Sequence, residues 1–207
     1  MPLILDVENW SRKEHFNFFK DFEEPFFGIT IEVDCTNAYK KVKAEGLSFF
    51  LYYLHASLLA ANSVENFHYR IEGEKVIIYE KVNASATINR EDGTFGFSYI
   101  DFHENFSDFV KEAEKEIKRV RNTKELLPAQ SGDNVIHYSS IPWINFKALS
   151  HARKYSAQDS CPKISFGKLY SKEDRKYFSL SIHAHHGLMD ARHVAQFIDT
   201  FQDLMNQ

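Results

Sequence analysis

The chain has 207 residues, 43% of them hydrophobic and 15% aromatic, with a formal net charge of −4. That is enough apolar material for one sizeable core, read as a single domain over 1–207. With no basic tail or basic–aromatic stripe, nothing marks a nucleic-acid partner. No apolar run approaches the ~20 residues of a membrane helix, and the N-terminus turns acidic at Asp6, too early for a signal peptide. The isolated Cys35 and Cys161 form neither a zinc motif nor a disulfide framework, so a soluble, cytoplasmic protein is expected.

In chain order, Ser11 and Glu14 have the spacing of a capping box and predict a helix over 11–22. Phe27, Ile29, Ile31 and Val33 alternate with Gly28, Thr30, Glu32 and Asp34, predicting a strand with one buried face. Thr36 is placed to cap a second helix ending at Gly46. Ser48 is placed to cap a third through Leu59, so apolar that most of its surface is expected to be buried. Strands are predicted over 67–71 and 75–82 around Glu72-Gly73-Glu74, and over 85–89 and 94–100 around Glu91-Asp92-Gly93. Residues 107–122 predict an amphipathic helix with Val110, Ala113, Ile117 and Val120 inward and Glu114–Lys118 paired on the wet side. Residues 127–134 read as a loop and 135–140 as a strand, and 147–162 has no assignable pattern. A hairpin over 164–170 and 175–185 then precedes a final helix lined by Val194, Phe197, Ile198, Phe201, Leu204 and Met205. The class is α+β, a mixed, mostly antiparallel sheet flanked by helices.

The richest chemistry lies in His185-His186-Gly187-Leu188-Met189-Asp190, where a strand gives way to the last helix. An imidazole at a strand end, fixed by backbone contacts, can serve as a general base; it can equally be a satisfied structural histidine. Metal binding is disfavoured, because His183 and His185 share one strand face while His186 takes the other, and the spacing fits no zinc motif. In Ser139-Ser140-Ile141-Pro142-Trp143, a serine hydroxyl at a strand end can either stabilise an oxyanion or make ordinary turn contacts. No GxSxG elbow is present.

Taken together, three segments resemble the chloramphenicol acetyltransferase family: His185-His186-x-x-x-Asp190, Asn9-Trp10-Ser11-Arg12-Lys13-Glu14-His15-Phe16, and Ser139-x-x-Pro142-Trp143-x-Asn145-Phe146. They occur in the family's order at similar intervals, so the resemblance spans nearly the whole chain. It implies a homotrimer with active sites at subunit interfaces and no metal. It implies acetyl-CoA as co-substrate, on the side of Trp143, and a small hydroxylated acceptor such as chloramphenicol. It casts His186 as general base in a ternary complex and Ser139 as donor to the tetrahedral oxyanion. Asp190 would pair with Arg12 and hold the His186 loop. Phe19, Phe27, Phe95, Leu149, His151 and Ser165 would line the acceptor pocket.

The chain also departs from the pattern. Ala191 stands where the motif has Gly, and Arg192 where an aromatic residue is usual. Phe19 replaces a common tyrosine, and Leu149, His151 and Arg153 lie where the family is mostly apolar or aromatic. Two other readings share the resemblance: an acyltransferase with another acceptor, including a dihydrolipoyl thiol, and a non-catalytic small-molecule binder. Against the thiol reading, the chain begins almost at the fold, leaving no room for a lipoyl domain.

Overall fold

A computed structural model of the protein describes residues 2–128, 132–155 and 158–207. Ala129, Gln130 and Ser131 of the expected loop, and Ser156 and Ala157 of the 147–162 stretch, lie outside the described residues. In chain order the elements are β1 (Leu3–Ile4), α1 (Lys13–Phe19), β2 (Phe26–Asp34), α2 (Thr36–Glu45), α3 (Phe49–Asn62), a 3-10 turn (Glu65–His68), β3 (Tyr69–Glu72), β4 (Lys75–Ile78), β5 (Asn83–Asn89), β6 (Phe95–Phe97), α4 (Phe106–Arg121), β7 (Val135–Ser140), β8 (Lys163–Phe166), β9 (Tyr170–Lys172), β10 (Arg175–His185) and α5 (Ala191–Met205).

The main sheet runs β2-β10-β8-β7-β5-β6, with β9 paired to β10, and a smaller sheet runs β1-β4-β3. Strand β7 is parallel to β5 and β8, and the other pairings are antiparallel. Side chains alternate along each strand, so the register sorts the main sheet into two faces. One face is apolar: Phe178, Leu180, Ile182 and Ala184 of β10 join Ile164, Phe166, Ile136 and Tyr138 in a core closed by α3, α4 and α5. On the other face, β2, β10, β8 and β7 line up Gly28, His183, Lys163 and His137 in one row and Thr30, Ser181, Ser165 and Ser139 in the next.

Helix α3 belongs to the apolar side. Ser48 caps it by accepting from Leu51 N at 3.4 Å, and Leu51, Leu54 and Leu58 are buried, each worth about 1.5–3 kcal/mol of transfer energy. Its two inward hydroxyls are satisfied across the core, Tyr53 by Ser140 and Ser57 by the Tyr138 phenol, each at 3.0 Å. A separate small core gathers Phe16, Tyr69, Ile71, Val76 and Leu188, tying α1 and the smaller sheet to the turn after β10.

Several local expectations need correction. Helix α1 is shorter than 11–22 and Ser11 does not cap it; Arg12 occupies the cap position and makes no capping bond, since a guanidinium has no acceptor to offer, and it donates to Asp190. At α2 the capping side chain is Asp34, whose Oδ1 accepts from Thr36 N (2.9 Å) and Oγ1 (2.6 Å). Residues 65–68 turn as a 3-10 helix, since His68 bonds back to Tyr79 O and Asn62 O. The strand expected over 75–82 ends at Ile78, and that over 94–100 pairs only over Phe95–Phe97, with a single bridge from Ile100 to Ala84. On α4, among the described residues, the charges pair at i,i+3, Glu116 with Arg119 and Glu112 with Lys115, rather than as Glu114–Lys118. The strand expected over 164–170 is cut at Gly167: an added Cβ would come within 3.1 Å of the Ser179 side chain and 3.2 Å of the Phe146 ring.

Candidate active site

Strand β10 delivers His186 to a tightly held turn. His186 N donates to Pro25 O at 2.8 Å, and Leu188 N and Met189 N both donate to His185 O, at 2.9 and 3.1 Å. Asn66 Nδ2 donates to Leu188 O at 2.8 Å. Leu188 plugs into the small core and Met189 into the large one, so adjacent apolar residues anchor the turn from two sides.

At the far end of the turn, Arg12 Nη1 donates to Asp190 Oδ2 at 2.6 Å and Nη2 to His186 O at 3.1 Å. Asp190 also caps α5, accepting from Arg192 N at 2.9 Å. Burial pushes the Asp190 carboxyl up, but the Arg192 N–H and the Arg12 guanidinium outweigh it and hold the group below the ordinary carboxylate value. Ala191, in the position of the motif's glycine, opens α5. Among the described residues the only non-glycine with positive φ is Glu173, so Ala191 brings no backbone strain.

The His186 ring lies flat on Phe19, with centroids at 4.2 Å and planes 1° apart, and Phe27 closes on it at 4.7 Å. Its Nδ1 is buried without a hydrogen-bond partner. Phe19 comes from α1 and Phe27 from β2, so two elements fix the ring plane.

Ser139 points away from the core, opposite to its neighbour Ser140. It opens into a cavity of about 530 Å³ whose walls include Phe95, Tyr99, His137, His151 and Lys163. Of the expected pocket residues, Phe95 and His151 therefore join Ser139, whereas Phe19 and Phe27 join His186. Leu149 is half-buried and outside the lining of this cavity. Ser165 is level with Ser139 on the same sheet face, but its hydroxyl is buried and unpartnered and it is outside the lining of this cavity. Arg153 turns away to Glu24 at 3.0 Å and covers the Phe26 ring at 3.5 Å. Trp143 is 66% exposed just beyond β7.

Ser139 and His186 of one chain are far apart. Ser139 is level with Ser165 and Ser181, two strands across, and His186 lies five residues beyond Ser181. Regular strand spacings put their Cα atoms roughly 19 Å apart.

His137 and Lys163 escaped the sequence reading. The available signal was the strand period: His137 lies two residues before Ser139 and Lys163 two before Ser165, which places each pair on one face. Burial, then the Lys163 charge, pushes the His137 imidazole down to about 4. Burial, then His183 and Lys163, does the same to His151. Among the described residues no group of three His, Cys, Asp or Glu side chains is arranged to hold a metal ion, and no helix is long and apolar enough to cross a membrane.

Comparison with known proteins agrees with this architecture. The model of the chloramphenicol acetyltransferase family matches residues 3–202, and the chain belongs to that family. The chloramphenicol acetyltransferase of Proteus mirabilis is 25% identical over 206 residues, covering 99% of this chain and 95% of its own. A solved chloramphenicol acetyltransferase structure superposes with a TM-score of 0.88 at 31% identity, over 99% of this chain and 100% of the other. The truncated catalytic core of the 2-oxoacid dehydrogenase multienzyme complex from Thermoplasma acidophilum shares the fold, with a TM-score of 0.70 at 17% identity over 99% and 98% of the two chains. The protein is thus an acyltransferase, built on a mixed sheet flanked by helices.

Proposed function

We infer that the protein is an acetyl-CoA-dependent O-acetyltransferase of a small hydroxylated acceptor, with chloramphenicol, named for its relatives, the first candidate. The observation that carries this reading is the way His186 is held: backbone bonds fix the turn, Phe19 and Phe27 fix the ring plane, and Nδ1 is sealed off. Nε2 is then the nitrogen left to take a proton, and a fixed ring suits a general base.

The overall step is acceptor hydroxyl plus acetyl-CoA giving acetyl ester plus CoA thiol. His186 Nε2 takes the hydroxyl proton as the oxygen attacks and returns it to the leaving sulfur. Ser139 donates a hydrogen bond to the negative charge growing on the carbonyl oxygen. Acetyl-CoA supplies the activated acetyl group. We read the open, largely apolar cavity at Ser139 as the acceptor pocket, and exposed Trp143, just beyond the same strand, offers a flat surface for the cofactor.

One chain cannot bring Ser139 and His186 to one substrate across roughly 19 Å. The site is therefore made by two copies, His186 of one and the Ser139 cavity of the next, in a closed homotrimer. We place the reaction in the cytoplasm, where acetyl-CoA is made; the free thiols Cys35 and Cys161 suit that compartment.

The test is CoA release from acetyl-CoA by the purified protein, with and without chloramphenicol, beside His186→Ala. Acceptor-dependent release that disappears in the variant is expected. Release that survives His186→Ala overturns the role given to the imidazole.

A further inference from the structure

The cavity that opens at Ser139 is two-sided in character. Phe95 and Tyr99 give it an aromatic wall, while His137, His151 and Lys163 bring nitrogen to its floor, and none of its described lining residues is a carboxylate. The strand register makes this arrangement rigid: His137, Lys163 and His183 face one another across β7, β8 and β10, and His151 meets His183 edge-on at 4.8 Å.

Lys163 is the centre of the cluster. Its side chain is 9% exposed, and its ammonium donates to Asp159 Oδ2 at 2.6 Å and to Cys161 O at 3.0 Å. An ammonium has three donors, so one is left, beside the Phe26 ring whose centroid is 4.4 Å from Nζ. His151 Nε2 is buried with no partner. Asp159 is the carboxylate bonded to Lys163, and Glu24 is drawn off by Arg153. With His137 and His151 both pushed down to about 4, the imidazoles are neutral at pH 7, and each can still offer one N–H. The walls suit a ring; Asp159 balances the Lys163 charge, so the floor offers a compact anion N–H donors rather than net positive charge.

Resting on the reading of this cavity as the acceptor pocket, we propose that the preferred acceptor is an aromatic or otherwise flat hydroxylated compound carrying a carboxylate, bound by Lys163 with His137 and His151. Lys163 is a specificity-determining residue rather than a catalytic one. A neutral acceptor such as chloramphenicol fills the aromatic part and leaves the donors of the floor without a partner, which weakens its binding.

Register places Lys163 and Ser139 one strand and two residues apart, about 8 Å between Cα atoms. A para-substituted benzene bridges such a gap, so the probes are 4-(hydroxymethyl)benzoate and its methyl ester, each assayed with acetyl-CoA beside chloramphenicol. The wild type is expected to favour the carboxylate over the ester by about tenfold or more in kcat/KM. Lys163→Met should raise KM for the carboxylate by a similar factor, and by more than it raises KM for the ester. Because that variant strands Asp159, the double variant Lys163→Met/Asp159→Asn is measured as well, with a melting curve for each.

Equal or better use of the ester by the wild type overturns the proposal, as does an unaltered KM for the carboxylate in both variants. If no acceptor is acetylated, the acyltransferase reading fails separately. Calorimetric titration of the carboxylate then decides the anion site: binding to wild type that is lost in the double variant upholds it, and equal or absent binding overturns it.

Discussion

Phe19 and His186 lie face to face, ring centroids 4.2 Å apart and planes within 1°. One ring comes from the first helix and the other from the turn after the last strand, so the contact closes the chain's two ends onto each other. An aromatic pair of this kind contributes about 0.5–1.5 kcal/mol beyond its buried area. If that energy holds the imidazole in its working orientation, Phe19→Ala lowers kcat about three- to tenfold. KM for acetyl-CoA should hold, and Phe19→Tyr should retain wild-type kcat. Steady-state kinetics with any turned-over acceptor checks this; an unchanged kcat in Phe19→Ala removes the orienting role.

The distance between Ser139 and His186 in one chain makes a sharper prediction. His186→Ala and Ser139→Ala should each be inactive or nearly so, the latter by about 10²–10³ in kcat if an oxyanion donor is lost. Co-assembled in equal amounts, the two variants should regain activity, because some interfaces unite an intact His186 with an intact Ser139. Random trimers place both at about one interface in four. Activity that stays at the level of the separate variants argues for a site within one chain.

Much of this arrangement was legible in the sequence because strands write their faces in a period of two. The alternation around Ile29 and Ile31 and the segment 135–140 marked real strands, and Ser48 and Gly46 marked a helix start and stop that the structure uses. Arg12 could be tied to Asp190 only through the resemblance, since nothing local signals a contact between residues so far apart in sequence. The capping box at Ser11 misled because the helix starts one residue later, with Arg12 at the cap position, and an arginine cannot accept the N–H bonds of a first turn. His137 and Lys163 stayed hidden because a histidine and a lysine next to apolar residues read as ordinary strand neighbours. Only the register of β7 against β8 shows that they share a cavity wall with Ser139.

Asp190 has two roles, capping α5 and pairing with Arg12, and substitutions separate them. Asp190→Ala removes the α5 cap and the Arg12 pair together. The cap is worth about 1 kcal/mol, and the pair adds a smaller amount because the Asp190 side chain is 36% exposed. A loss of roughly 1–2 kcal/mol lowers Tm by about 2–8 °C in a domain of this size. Arg12→Met spares the cap, so its Tm should fall less, yet it releases His186 O and should still depress kcat. Melting curves beside acetyl-transfer rates test the split; the same loss of Tm in both variants would assign the whole effect to the ion pair.

Three histidines, His185 above all, predict how stability depends on pH. Burial first, with nearby cationic charge, pushes His137, His151 and His185 down to about 4, against an ordinary value near 6.5 in the unfolded chain. Between those values the unfolded chain takes up protons that the folded chain refuses, so stability is full above pH 6.5 and declines as pH falls towards 4. His185 is only 3% exposed and should contribute a slope of about 1.4 kcal/mol per pH unit at most. His137, which opens into the cavity, contributes less because solvent screens it. Thermal melts from pH 8 to 4.5 should show a level Tm above pH 7 and a steady fall below 6.5. His185→Gln keeps an acceptor for Gly187 N but cannot be protonated, so its Tm should fall less steeply. A wild-type Tm that is level from pH 7 to 5 would mean that these rings protonate in place.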